Sequence, residues 1–155
     1  MTNKTTHKII TVTSGHSNTG KIDSGAVTTV GGKLIKEADM AMLLRNTILY
    51  YLQQDKEIIT RCDGYGAVNL ELKEAIKLIE GSDVAVEVHF NSSNNKTANG
   101  VECIALPKDK TLAQMLSKAV AKVTGSRLRG IDGFITQEDS ARGKLGYINA
   151  GGLIL

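Results

Sequence analysis

His16, Glu37 and His89 are the residues of this chain whose types and contexts best suit shared chemistry. His16 lies in the turn Ser14-Gly15-His16-Ser17-Asn18, after the strand-like run at 9–13. Glu37 opens a helix-like stretch, and His89 closes the apolar run at 84–88. Two imidazoles and one carboxylate would give a zinc ion three protein ligands and leave a fourth position for water, the catalytic rather than the structural arrangement. Each residue also has a plainer reading. A His after a strand is ordinarily a hydrogen-bonded loop residue, and a Glu at a helix start ordinarily answers the helix dipole. The joint occurrence brings the metal reading forward; spacing alone leaves both open.

The elements that would position these residues alternate between strand and helix. Three- and four-residue apolar spacing predicts helices over 36–54, 72–79 and 112–123. Strands are expected at 57–61, 84–90, 101–106, 130–135 and 152–155, with Glu87 the one charge in an otherwise apolar central strand. Residues 15–33 read as a Gly/Ser/Thr loop without periodicity, and a loop of that length in a compact domain is more often functional than accidental. A polar loop follows His89 at 91–97, and a charged loop separates the last two strands. The alternation predicts one α/β domain, an open, mixed and mostly parallel sheet with helices on both faces and no repeats. Ligands of such sheets bind beyond the carboxyl ends of parallel strands. His16 and His89 are expected at that edge, with Glu37 facing the same crevice.

Composition narrows the rest. A chain of 155 residues suffices for one domain with a core. With no Trp, two Phe and four Tyr, that core has to be aliphatic. A net charge of +3 without a Lys/Arg run gives no support for a nucleic-acid partner. No apolar stretch has membrane-spanning length, so no membrane insertion is expected. Cys62 and Cys103 are too few for a disulfide framework and read as two reduced thiols. The start at 1–8 lacks the apolar region of a signal peptide, which implies synthesis in the cytoplasm.

The neighbours of the three residues add a resemblance. Gly15-His16, then Asp23-Ser24-Gly25-Ala26, then Glu37 opening a helix resembles the start of the zinc-dependent N-acetylmuramoyl-L-alanine amidases of the amidase-3 family. Thr60-Arg61-Cys62-Asp63 is similar to the family's TR-x-D strand end. Ser82-Asp83 leading to Val88-His89-Phe90-Asn91-Ser92 is similar to its AD…SIHxN(A/S) segment. Gly100-Val101-Glu102 and Arg129-Gly130 match its later G-x-E and RG segments. The matches keep the family's order across nearly the whole chain. The resemblance implies Zn2+ held by His16, Glu37 and His89, with Asn91 at the substrate-binding rim. It implies hydrolysis of the amide joining the muramoyl lactyl group to L-alanine in peptidoglycan. Action on the cell wall follows, and the leaderless start suits a phage-released endolysin better than a secreted autolysin.

Departures from the family pattern are also legible. Ser17-Asn18 stands where a Gly pair usually follows the first His, and residues 69–73 lack the usual Arg. The family's catalytic Glu ends its last core strand, whereas here the apolar run stops at Leu155. The domain, 1–155, therefore reads as truncated at its C-terminal end, with room for a cell-wall-binding domain beyond it. No residue is assigned as general base; Glu102, Glu138 and Asp139 read as solvated carboxylates. Two rivals stand beside the amidase: a turnover-deficient, zinc-containing peptidoglycan-binding module, and another zinc amidohydrolase or carboxypeptidase.

Overall fold

The computed structural model describes residues 7–95 and 97–155. Residues 1–6, most of the start read above for a signal peptide, and Lys96 of the polar loop lie outside the described residues. The chain divides into two compact units, residues 1–90 and 91–155.

The N-terminal unit is built on three parallel strands. β1 (Lys8–Ser14) pairs with β4 (Ile58–Cys62) on one side and β5 (Val84–Val88) on the other. Helix α1 (Glu37–Leu52) precedes β4, and the short α2 (Leu72–Lys77) precedes β5. Side chains alternate along β1. Thr11 bonds the Leu78 carbonyl and the Ser82 hydroxyl in the segment that follows α2, while Ser14, on the opposite face, meets Arg45 of α1. Helices thus cover both faces. The core is aliphatic, as the scarcity of aromatics requires: Val12, Ala41, Leu49, Ala85, Val86 and Val88 are buried.

The expected featureless loop at 15–33 is partly ordered. An antiparallel hairpin begins in it and runs past its end, β2 (Val27–Val30) and β3 (Lys33–Lys36). Gly31 and Gly32 turn it with φ of 56° and 77°, the double left-handed turn that matches strand twist. Val-Thr-Thr-Val followed by Gly-Gly carried that signal, masked because β2 is exposed at every position and shows no alternation of burial.

In the C-terminal unit, β6 (Cys103–Ile104) pairs in parallel with β7 (Phe134–Ile135) and antiparallel with β8 (Leu153–Ile154). Helix α3 (Lys110–Thr124) packs on β6 and β7. The expected charged loop before β8 holds a short helix, α4 (Gly146–Asn149), whose Tyr147 and Ile148 are fully buried. The fold class is the expected one, mixed α/β with mostly parallel strand pairing. Among the described residues no helix is long and apolar enough to cross a membrane. Cys62 and Cys103 are free thiols, Cys103 pushed up to about 12 by burial.

Candidate metal centre

His16 and His89 lie just past the carboxyl ends of the adjacent strands β1 and β5, where Ser14 stands opposite Val88 and the Gly15 amide donates to the Val88 carbonyl at 2.9 Å. Glu37 is the first residue of α1, yet its carboxylate does not cap its own helix. The helix's first amides are taken by the Ala26 and Ser24 carbonyls. The Glu37 side chain is therefore free to accept from the amides of Ala26 (3.0 Å) and Phe90 (2.9 Å), which hold it between the two imidazoles. Glu37 Oε2 lies 3.0 Å from His16 Nε2 and Oε1 lies 3.0 Å from His89 Nδ1. One ligand-type atom from each of the three residues falls within 4.8 Å of the others.

The backbone gives way to bring these groups together. His16 adopts φ of 70°, uncommon for a residue with a side chain and a feature of functional sites. Its carbonyl is anchored there by the Asn69 side-chain amide at 2.6 Å. Gly25, at φ of 64°, passes so close that an added Cβ would fall 2.5 Å from His16 Nε2 and 2.8 Å from Glu37 Oε2. A Cβ on Gly15 would run into the His89 ring.

Each imidazole is held at both ends. His16 Nδ1 lies 2.9 Å from Asp23 Oδ2, and His89 Nε2 lies 3.0 Å from Glu87 Oε1. The two rings thus face carboxylates at all four nitrogens, with Glu37 shared. A neutral imidazole has one N–H to donate. Two protons cannot serve four carboxylate contacts, and both contacts left over converge on Glu37. Titration expresses the same deficit. The contact with Glu37 lifts His16 from 6.5 to about 9 against the effect of burial, with help from Asp23. Burial acts to lower His89, but Glu37 and Glu87 outweigh it and the net direction is upward. Burial likewise acts to raise Glu37, and the two imidazoles and two amides hold it well below the usual carboxylate range.

A cation at the point where Glu37 meets both rings removes the deficit. His16 Nε2 is buried there without a hydrogen-bond partner, although the Glu37 oxygen is close, so its lone pair is available. Imidazole nitrogen and carboxylate oxygen are zinc's usual partners, and outer carboxylates on the far nitrogens are the common support of metal-binding His. The three residues therefore fit a divalent metal.

Sequence reasoning singled out these three but missed Asp23 and Glu87 as partners of their rings. Glu87 had announced itself as the lone charge in an apolar strand; Asp23 lay inside the matched segment Asp23-Ser24-Gly25-Ala26. Asn91 opens the C-terminal unit, its amide nitrogen donating to Glu102 and its oxygen accepting from Arg142. Glu102 is less solvated than its sequence suggested, because the Arg129 Nε also binds it and its side chain is only 16% exposed. Glu138 and Asp139 are exposed, Asp139 accepting from the Thr136 hydroxyl.

The family model of the N-acetylmuramoyl-L-alanine amidases, Amidase_3, matches residues 10–135, and the chain belongs to that family. Among solved structures the chain is similar to the putative N-acetylmuramoyl-L-alanine amidase from Neisseria meningitidis. The two share 46% identity and a TM-score of 0.81 over 95% of this chain and 77% of that one. It is also similar to the catalytic domain of CwlV, an N-acetylmuramoyl-L-alanine amidase from Bacillus (Paenibacillus) polymyxa var. colistinus. There the identity is 24% and the TM-score 0.76, over 95% and 78% of the two chains, a likeness of fold. The N-acetylmuramoyl-L-alanine amidase from Clostridium difficile 630 shares the fold at 19% identity and a TM-score of 0.75, over 96% and 78%. A comparison with curated protein sequences returned no match.

Proposed function

We propose that this chain hydrolyses the amide between the N-acetylmuramoyl lactyl group and L-alanine of peptidoglycan, using a zinc ion held by His16, Glu37 and His89. The observation that carries the reading is the convergence at Glu37: two imidazoles, each with a second carboxylate at its far nitrogen, meet one buried carboxylate at 3.0 Å. Family membership supplies the substrate class. Bound there, zinc lowers the pKa of a water to about 7 and polarises an amide carbonyl.

The chain's own residues prepare the site. Asp23 and Glu87 stand at the outer nitrogens of the two rings and fix their orientation. The Ala26 and Phe90 amides hold the Glu37 carboxylate in its charged form. Asn91, two residues past His89 and held by Glu102 and Arg142, contributes to substrate binding. Action on the bacterial cell wall follows from this substrate, and release as a phage endolysin is the setting we favour.

Two measurements test the reading. His89→Ala abolishes stoichiometric zinc binding by calorimetry and metal analysis; a variant with full zinc occupancy would sink the ligand assignment. A peptidoglycan digest read by mass spectrometry releases stem peptides beginning with L-alanine alongside peptide-free glycan. Cleavage within the stem would instead identify a peptidase.

A further inference from the structure

Glu87 is the penultimate residue of β5, a strand buried from Ala85 onward, and its side chain is 6% exposed, an expensive place for a carboxylate. Glu87 and His89 are two residues apart on an extended segment and so point to the same side, which brings Glu87 Oε1 to 3.0 Å from His89 Nε2. The ring cannot easily leave this position, because Gly15 packs against it with no room for even a Cβ. His16 is braced differently. Its outer carboxylate, Asp23, is 62% exposed and grips Nδ1, so the nitrogen turned to Glu37 is Nε2.

We propose that Glu87 is a positioning residue that holds the proton of His89 on Nε2, so that this site takes its zinc through Nδ1 of His89 and Nε2 of His16. The assignment rests on the zinc reading above and goes beyond it, naming the nitrogens and the residue that selects them. Were the His89 proton on Nδ1, it would point at Glu37 where the ion belongs, and Nε2 would turn its lone pair on the buried Glu87 carboxylate. Two like-charged contacts would replace two favourable ones. A carboxylate partner also raises the donor strength of a ligating imidazole, and loss of such a partner typically costs about 10–100-fold in metal affinity. Glu87 is the stronger brace of the two, because water readily replaces the exposed Asp23 and cannot replace a buried group.

The test uses the zinc-loaded protein with 15N-labelled histidine. Side-chain 15N spectra should show His89 protonated at Nε2 and metal-bound at Nδ1, with the reverse arrangement at His16; metal-bound Nε2 at His89 overturns the proposal. Chelator competition then compares Glu87→Gln and Glu87→Ser with the native protein and with Asp23→Asn. We expect about a 10–100-fold weaker zinc affinity for the Glu87 variants, with metal-free unfolding midpoints showing them folded, and a smaller loss for Asp23→Asn. Glu87 variants that are folded and bind zinc within threefold of the native protein overturn it as well. Should the native protein bind no stoichiometric zinc, the metal reading itself falls, and this inference with it. Zinc bound normally but indifferent to Glu87 removes the inference alone.

Discussion

Around Arg45 every buried charge meets its opposite; around Glu37 three carboxylates share two imidazoles. Both clusters lie in the N-terminal unit and both centre on a buried charge, so the difference lies in how each is answered. Arg45 and Asp63 are completely inaccessible and 2.9 Å apart. All three guanidinium nitrogens are engaged, with Asp63, Asn69 and Ser14 on one side and Asn46 and the Val68 carbonyl on the other. Asp63 in turn accepts from the Ser14 amide, and Asn69 donates to the carbonyls of Ser14 and His16. That network closes on itself and needs no guest. The Glu37 cluster turns two imidazole nitrogens on one carboxylate, and closes with an excess proton or an added cation. Buried polar satisfaction marks scaffold, and a specific buried deficit marks a site. The two are also joined, since the satisfied network fixes the backbone that carries His16.

The comparison breaks most visibly on stability. Replacing Arg45 with Met strands Asp63 as a buried unpaired charge, and unfolding in urea with a chelator present should show a loss of about 3–5 kcal/mol. His16→Ala, measured the same way, should cost clearly less, because Glu37 keeps the His89 imidazole and the amides of Ala26 and Phe90. The opposite order would erase the distinction between scaffold and site.

Zinc sharpens the same contrast. A ligand that binds only the folded state at about a thousandfold above its Kd adds about 4 kcal/mol of stability. The native protein should gain that increment on zinc addition. Arg45→Met, where it still folds, should gain it too, and His89→Ala should gain none. Parallel shifts in all three would place the metal somewhere other than the triad.

Much of this was legible in the sequence, and the illegible part has a physical cause. Residues 84–88 announced a central strand because a strand covered on both faces reads as an apolar run, and His89 was then placed at its end by chain direction alone. Glu37 was found as a helix start, but its real partners, the amides of Ala26 and Phe90, are 11 and 53 residues away and leave no local pattern. The same holds for Arg45, whose partners Asp63 and Asn69 come from beyond β4 and leave no mark on the helix's own spacing. Hairpin β2–β3 was hidden differently. Its local Gly-Gly signal was present, but no face is buried to reinforce it. Long-range polar pairing and solvent-exposed strands are what periodicity cannot see.

The smallest effect separates the clusters by pH. In the metal-free protein the His16 pKa is raised from 6.5 to about 9, through Glu37 first, so the stability it contributes is fully present below pH 6.5 and is lost as pH rises through 9. Glu37 acts in the opposite direction: its depressed value contributes stability above its ordinary range, lost as pH falls. Metal-free unfolding should therefore be hardest between about pH 5 and 6.5 and weaken steadily towards pH 9. His16→Ala should flatten that decline, because the proton it loses is the one standing in for the cation. Zinc competes with that same proton, so its stabilising increment should grow over the interval in which the metal-free protein weakens. A metal-free profile level from pH 6.5 to 9 would mean that the imidazoles carry no excess proton, and that Glu37 is not the point where their lone pairs meet.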